Sequence, residues 1–359
     1  MKKIVGYILI IIFLFGFIGC KKHEEPQNTE EPIVVVENLS IVENGISEYR
    51  IVRNENATLT EIASANELSD KIFQSTGATI SVISDLGMEF NTEDKYISVG
   101  NTVLLSGADL EFDYSILNGD GFFIKVIGNT ILIDGNNDRS VMYGVYDFLE
   151  KFVGIRYLTL ESIHVPEKSN ILVPKADVIE IPDFKMRNYL SYDATYYPEL
   201  SSKMRVVNDI IYTSPEFGGE SDWYDGNMHN TLVYIDPNNY PNNPEMFSAN
   251  KTELCWSNGM TAEGKIDNTI ETSVPKLLLQ RLKEMAAEKP NKEFFMIGQM
   301  DWPAKECECA ECLAAINKYG TRSGLQLVMM NELARQMKAW AADNYPGREI
   351  NLVMFAGII

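Results

Sequence analysis

Short apolar runs alternate with amphipathic stretches between residues 45 and 181, and this pattern predicts a mixed α+β domain. Gly128-Asn129 separates two strand-like runs, so a two-residue hairpin turn is expected there. One helix is predicted from Thr60 as its N-cap to Gly77, and another carries an apolar stripe that ends at Gly154. The predicted strands cover residues 49–52, 80–83, 96–99, 122–127, 130–133 and 155–158, and residues 172–174 and 178–182 lead the chain out of this domain.

From Pro182 onward the pattern changes to strand, loop and helix. Such alternation predicts a parallel sheet, here the first half of a (β/α) barrel of the TIM type over residues 182–359. A complete barrel needs about 200 to 250 residues, so we expect this chain to be truncated relative to a whole barrel. The predicted elements are strands 184–190, 231–235, 293–298 and 350–355, helix 269–287, and a long helix capped by Ser323.

The N-terminus has the pattern of an export signal. Lys2-Lys3 precedes an apolar run over residues 4–18 that is shorter than the roughly 20 residues needed to span a membrane. Gly19-Cys20 follows, and this arrangement resembles a bacterial lipoprotein signal. Residues 1–20 are therefore predicted to be a signal peptide with Cys20 lipidated, and 21–44 a flexible tether. An uncleaved membrane anchor is the alternative; the favoured location is the bacterial outer membrane, on its periplasmic or cell-surface face.

The charge balance narrows the choice of partners. A formal net charge of −20 and a pI near 4.6 argue against nucleic acid and against broad capture of polyanions. Aromatic residues make up 10% of the chain, with 17 Tyr, which suits a protein that handles carbohydrate. We therefore expect a carbohydrate partner, while the oligomeric state is not determined by the sequence.

Two stretches resemble known families. Residues 143–158, YGVYDFLEKFVGIRYL, together with Asp120-Gly121-Phe122, resemble the small non-catalytic α/β domain that precedes the barrel in family 20 hexosaminidases and family 67 α-glucuronidases. Residues 228–331 resemble the bacterial family called domain of unknown function 4838. That second resemblance is carried by Met228-His229-Asn230, Asn243 to Phe247, Leu254 to Asn258, Gln299-Met300-Asp301, the cysteine cluster, Ser323-Gly324 and Asn331.

The resemblance implies a glycoside-hydrolase-like protein, and glycoside hydrolysis uses two carboxylates or one acid with help from the substrate. Asp301 is the first catalytic candidate because it closely follows a predicted strand; its other expected role is to brace the neighbouring cysteine loop. Asp225 is the second candidate. No Asp-Glu pair of the family 20 type follows the last predicted strand.

Four further residues are candidates for substrate binding. Arg187 lies in a segment that resembles the first barrel strand of family 20 enzymes, where an arginine grips sugar hydroxyls; a structural ion pair is the alternative. His229 is one of only three histidines, and its family-like context suggests a substrate or metal role. Trp223 and Trp302 are expected to stack on sugar faces.

Four cysteines besides Cys20 form one candidate site: Cys255, Cys307, Cys309 and Cys312. Their spacing is compatible with tetrahedral zinc, whereas an oxidising exported compartment favours disulfides. Spacing alone does not decide between a zinc site and disulfides. Either reading makes the cysteines a structural staple, and no cofactor is expected for catalysis.

The expected function is hydrolysis of O-glycosyl bonds in a complex glycan at the cell envelope, as part of carbohydrate metabolism. The alternatives are a non-catalytic glycan-binding surface lipoprotein on the same scaffold and an inactive truncated fragment. The sequence does not determine the sugar, the linkage or the retaining or inverting outcome.

Overall fold

The computed structural model describes residues 37–187, 191–206, 214–219, 228–301 and 303–355. The predicted signal peptide and four candidate residues lie outside the described residues: Cys20, Trp223, Asp225 and Trp302. Within the described ranges, no helix has the length and apolar character needed to cross a membrane.

Most strands lie in the first half of the described chain, and helices dominate the second half. The elements before residue 187 are β1 (Asn38–Val42), β2 (Arg50–Arg53), α1 (Leu59–Thr76), β3 (Val82–Ser84), β4 (Tyr96–Val99), α2 (Val103–Gly107), β5 (Phe122–Ile127), β6 (Thr130–Gly135), α3 (Asp138–Phe148), β7 (Arg156–Tyr157), β8 (Ile163–His164), β9 (Ile171–Pro174) and β10 (Val178–Glu180). The later elements are α4 (Tyr192–Tyr196), α5 (Pro198–Lys203), α6 (Thr231–Tyr234), α7 (Val274–Glu288), β11 (Phe294–Gly298), α8 (Ala310–Tyr319), α9 (Arg322–Asn344) and β12 (Asn351–Phe355).

Six strands form one mixed sheet in the order β10-β5-β6-β4-β2-β3. The strands from β6 to β3 are parallel neighbours, whereas β10, β5 and β6 are antiparallel. Helices α1 and α3 pack against each other and against this sheet. Strand residues such as Ile51, Ile97 and Ile131 are fully buried in the core between them. The mixed α/β character predicted for this region is therefore confirmed.

The predicted hairpin is confirmed. Strands β5 and β6 pair antiparallel up to Ile127 opposite Thr130, and Gly128 in the turn has a φ of 61°. A primed hairpin turn needs positive φ, which glycine adopts without steric cost. Gly154 also has the left-handed conformation expected of a cap, with a φ of 89°, and it follows a π-helical turn that extends α3.

The N-cap of α1 is Thr58, so the prediction of Thr60 was wrong by two residues. Thr58 accepts a hydrogen bond from the Glu61 N–H, and the Glu61 carboxylate accepts one from the Thr58 N–H, which completes a capping box. The Thr60 hydroxyl donates to the Pro215 carbonyl. Gly77 ends the helix in the left-handed conformation, as predicted.

A buried carboxylate in the sheet makes stability depend on pH. Asp134 in β6 is 6% exposed; burial raises its pKa to about 6, and a hydrogen bond from the Tyr114 hydroxyl at 2.8 Å opposes this. The pKa of Asp134 is higher in the folded state than its value of 3.8 in the unfolded chain, so the protonated carboxyl stabilises the fold. This stabilisation is complete below pH 3.8 and is lost as the pH rises through about 6.

Raising the pH from 5 to 7.5 should therefore lower the unfolding free energy of the wild type, relative to that of Asp134→Asn, by about 1 to 3 kcal/mol. Parallel denaturant titrations at the two pH values measure this difference, and an unchanged difference would contradict it.

A second hydrophobic core forms in the later part of the chain. Strands β11 and β12 pair in parallel, from Phe294 opposite Asn351 to Gly298 opposite Phe355. Helices α7 and α9 pack against each other, and α9 contacts β12. The buried core includes Leu278, Leu282, Phe295, Ile297, Met329, Leu333 and Met337.

Two predicted barrel strands are wrong where the structure describes them. Residues 184–187 contain no strand, and residues 231–235 hold the one-turn helix α6. A short apolar run does not by itself distinguish a strand from a buried helical turn. Here Asn230 and Thr231 provide the carbonyls that accept the N–H groups of the turn. In the described residues, the parallel sheet of this region has two strands and is not closed, so a TIM barrel is not confirmed.

Two helix starts differ from the predictions. Helix α7 begins at Val274, not at residue 269, and Pro275 lies in its first turn. Proline lacks an N–H and is tolerated only where that donor has no partner within the helix, so the helix starts just before it. Helix α9 is capped by Thr321, whose hydroxyl accepts the Gly324 N–H at 2.9 Å, and not by Ser323.

Candidate functional site

The candidate site lies at the carboxyl ends of β11 and β12. The chain segment before α6 runs alongside the end of β11, where Asn230 donates its N–H to the Gly298 carbonyl at 3.0 Å. The Asn230 side-chain oxygen accepts the Gly298 N–H at 2.9 Å. A Cβ on Gly298 would lie 1.6 Å from the Met228 carbonyl oxygen, so only glycine permits this approach. This contact brings His229 to the strand end.

His229 and Asp301 come together at this edge of the sheet. The Nδ1 atom of His229 lies 2.7 Å from the Gln299 carbonyl oxygen, which can only accept, so Nδ1 carries a proton. The Nε2 atom then faces Asp301, with 3.7 Å between Nε2 and Oδ2. The His229 ring packs edge-on against Phe355 at the end of β12, with 5.2 Å between ring centroids.

This pair combines a partly buried base with an exposed acid. The His229 side chain is 29% exposed and the Asp301 side chain is 76% exposed. Asp301 lies three residues beyond the end of β11, close to the position that the sequence predicts. An imidazole and a carboxylate this close can each hold or transfer a proton of a ligand bound beside them.

A polar network holds the loop after β11. The Gln299 amide donates to Glu306 Oε1 at 2.9 Å and accepts from Gln326 Nε2 at 2.7 Å. Glu306 in turn pairs with Arg322 at the start of α9, with 2.7 Å between Oε2 and Nε. Gln299 and Gln326 are both buried. The loop is thus anchored to α9, which the sequence did not predict.

Glu253 is a structural residue that sequence reasoning missed. It is fully buried, and its two carboxylate oxygens accept the N–H groups of Leu254 at 2.6 Å and Met300 at 2.7 Å. Burial raises the pKa of Glu253, and these backbone hydrogen bonds oppose the rise. One side chain therefore joins the Cys255 turn to the residue before Asp301. A charged residue directly before an apolar run, as in Glu253-Leu254-Cys255-Trp256, was the available signal.

The four cysteine sulfurs form one cluster. All four Sγ atoms lie within 4.8 Å of one another, and each cysteine is a free thiol. Cys255 lies 3.6 Å from Cys312 and 3.8 Å from Cys309, measured between sulfurs. Cys309 is the N-cap of α8 and accepts the Cys312 N–H at 3.4 Å. The structure thus brings Cys255 to three cysteines that lie more than fifty positions later in the chain.

The thiols influence each other's ionisation. A hydrogen bond from the Cys312 thiol, helped by one from the Ser257 hydroxyl, lowers the pKa of Cys255 to about 5. Burial raises the pKa of Cys307 to about 12, and the contact with Cys255 raises that of Cys312. Thiols packed this closely titrate as one unit, so these shifts belong to the cluster as a whole.

Arg187 lies in an ion pair in this structure. Its Nη2 is 2.6 Å from Asp120 Oδ2, and its other nitrogens donate to the carbonyls of Arg205 and Phe184. Burial disfavours the Asp120 carboxylate, yet the neighbouring Arg139 and Arg187 guanidiniums hold its pKa below the usual range. This is the structural alternative that the sequence left open. Contact between Arg187 and substrate stays a prediction.

The fold and the site thus define a mixed α/β protein with a polar site at the ends of two parallel strands. Residues 157–355 match the family described as Domain of unknown function (DUF4838), and the chain belongs to that family. The family assignment made from the sequence motifs is confirmed.

Solved glycoside hydrolase structures share a partial similarity with this chain. A family GH115 4-O-methyl-α-glucuronidase has a TM-score of 0.38 at 11% identity, over 83% of this chain and 41% of its own. A chitobiase from Flavobacterium johnsoniae gives 0.38 at 14% identity, over 89% and 50%. A β-N-acetylhexosaminidase from Bacteroides fragilis gives 0.36 at 14%, over 89% and 66%. This chain therefore spans about two fifths to two thirds of those proteins. No curated protein matched.

Proposed function

We propose that this chain forms part of a glycoside hydrolase that cleaves O-glycosyl bonds of a complex glycan. The observation that carries the proposal is the pairing of His229 with Asp301 at the carboxyl ends of β11 and β12. In proteins with parallel α/β sheets, this edge is where ligands and catalytic groups meet. We also propose that β11 and β12 are neighbouring strands of a (β/α) barrel.

Asp301 has the role of the reacting carboxylate in this proposal. Its exposed oxygens can reach a sugar bound over the sheet edge, and a carboxylate there can hold or deliver a proton at the glycosidic oxygen. His229 orients and polarises it, since its Nδ1 proton is held by the Gln299 carbonyl. The proposal assigns the second carboxylate to Asp225 and sugar stacking to Trp223 and Trp302.

A second candidate is glycan binding without cleavage. The Asp301 side chain is 76% exposed, whereas a general acid is usually desolvated so that it keeps its proton near neutral pH. An exposed carboxylate can instead accept hydrogen bonds from sugar hydroxyls. The same residues would then recognise the glycan and leave its bonds intact.

The site is tested by Asp301→Asn in the full chain. The amide keeps the shape of the side chain but cannot transfer a proton, so kcat/KM for glycan hydrolysis should fall about 100-fold or more. Glycan affinity, measured by calorimetry, should change only a few-fold. Sugar release from a panel of complex glycans and aryl glycosides gives the activity.

Asp343→Asn is the matched control, because Asp343 is exposed on α9 and should leave both measurements unchanged. If the wild-type chain binds glycan but never releases sugar, the proposal of hydrolysis is wrong and the binding function takes its place. Wild-type chain that neither binds nor cleaves any member of the panel would refute both.

We further propose that the protein is exported and anchored by lipid at Cys20, in the outer membrane. The support is the sequence pattern of residues 1–20. The mass of the mature N-terminal peptide tests this, because an unmodified Met1 would contradict it.

A further inference from the structure

We propose that one Zn²⁺ ion is bound by four thiolates, those of Cys255, Cys307, Cys309 and Cys312. The site is closed and structural, and it fixes the loop that carries Asp301. The proposal does not depend on whether the protein cleaves glycans.

The distances between sulfurs fit a tetrahedral metal site. A Zn–S bond of about 2.3 Å places tetrahedral sulfurs about 3.8 Å apart. Cys255 lies 3.6 Å from Cys312 and 3.8 Å from Cys309, and all four sulfurs lie within 4.8 Å of one another. Cys255, Cys307 and Cys312 are buried, so the centre of the cluster is shielded from water.

The same geometry disfavours two separate disulfides. In a disulfide, each sulfur has one bonded sulfur partner at about 2.0 Å. Sulfurs of a second disulfide lie farther away, at non-bonded distances. In this cluster Cys255 approaches two sulfurs at nearly equal distance, and Ser257 Oγ lies within 3.6 Å of three of them. A cluster in which one sulfur has two near-equal neighbours and all four lie within 4.8 Å is typical of metal coordination and not of pairwise bonding.

The surroundings stabilise thiolates. The Ser257 hydroxyl lies 3.1 Å from Cys312 Sγ and 3.3 Å from Cys255 Sγ, and it can donate a hydrogen bond to one of them. Cys309 caps the N-terminus of α8, where the helix dipole favours negative charge. When Zn²⁺ binds, each cysteine that is still protonated releases its proton to solvent, and each of the four sulfurs forms one Zn–S bond. No redox step is involved.

Four protein ligands leave no position for substrate, which makes this a structural ion. It joins the turn at Cys255, the loop at Cys307 and the start of α8 at Cys309. The first of these segments is tied through Glu253 to the Met300 N–H, one residue before Asp301. The ion would therefore keep the Asp301 loop in one conformation.

The first test is the metal content of the full chain, purified in reducing buffer without chelator. We expect about one zinc per chain by elemental analysis. Removing it with a strong chelator should lower Tm by about 10 °C or more, and adding Zn²⁺ should restore Tm. Hydrogen exchange should become faster after removal in residues 299–312 and 253–257, and remain unchanged in the distant sheet strand β4.

The second test separates ligands from neighbours. Cys312→Ser should weaken zinc binding about 100-fold or more, since a serine hydroxyl is a poor zinc ligand. Ala310→Ser is the control, because it introduces the same hydroxyl at an exposed position beside Cys309 without removing a ligand, and it should retain one zinc per chain. Cobalt(II) added to the metal-free wild type should give the thiolate-to-cobalt absorption of a tetrahedral sulfur site. The cobalt spectrum is measured on the wild type, so it tests the proposal even if a cysteine variant fails to fold.

Three results would overturn the proposal. One is wild-type chain that contains no zinc and binds neither zinc nor cobalt while all four thiols are free. Another is peptide mapping of zinc-free chain that finds Cys255 in a disulfide with a cysteine of the 307–312 cluster. The third is stoichiometric iron in place of zinc.

Discussion

Replacement of Glu253 by alanine is expected to lower the free energy of unfolding by about 3 to 4 kcal/mol. The carboxylate is fully buried, and it is the acceptor for the N–H groups of Leu254 and Met300. Its loss leaves one buried donor, at Leu254, and one part-buried donor, at Met300, without this acceptor, at about 1 to 3 kcal/mol for a buried donor, and opens a cavity. Removing the carboxylate also removes the cost of burying its charge, which burial shows by raising the pKa of Glu253. This gain offsets part of the lost stability. Denaturant unfolding followed by circular dichroism measures the change.

Two variants bracket this effect. Glu253→Gln keeps the volume and one acceptor, so about half of the loss is expected. Glu263→Ala changes an exposed glutamate in a nearby turn and should alter stability by less than about 0.5 kcal/mol. If Glu253→Ala behaved like Glu263→Ala, the carboxylate would not be joining these two loops.

Gly298→Ala should destabilise the protein by about 3 kcal/mol or more and should displace His229. The added Cβ would lie 1.6 Å from the Met228 carbonyl oxygen and 3.2 Å from the Phe355 Cβ. Overpacking usually costs about 1 to 3 kcal/mol, and here the obstacle is backbone that no side-chain rotation can relieve. The segment before α6 must therefore move away from β11. Unfolding titrations measure the stability, and the His229 ring signals in NMR report the displacement.

Gly347→Ala is the control for this change. Gly347 is exposed, has a φ of 85° and has open space around its Cβ position, so its cost of about 1 kcal/mol comes from backbone strain alone. If both substitutions lower stability by the same small amount and the His229 signals do not shift, the contact between Gly298 and Met228 is not tight.

Local features were predicted well where the signal lies within a few residues. The hairpin at Gly128-Asn129 and the helix ends at Gly77 and Gly154 depend on glycine conformations that no distant contact has to supply. The capping residue of α1 was misplaced because Thr58 and Thr60 are both acceptable caps by type. Only the reciprocal bond with Glu61 distinguishes Thr58.

The strand predicted at 231–235 shows why some elements were misassigned. A four- to five-residue apolar run has too few positions for its period to separate a strand from a helical turn. Asn230 fixed the outcome, because it bonds to both Gly298 and the turn itself. Gly298 lies about seventy residues away in the chain.

The sequence by itself determined the family, the local grouping of Cys307, Cys309 and Cys312, and the position of Asp301 just beyond a buried strand. Only the tertiary structure decided that Cys255 joins that group, that His229 faces Asp301 and that Arg187 pairs with Asp120. The physical reason is the same in each case. Short-range patterns constrain backbone conformation, whereas these contacts join residues more than fifty positions apart, and their geometry is set by the packing of the core between them.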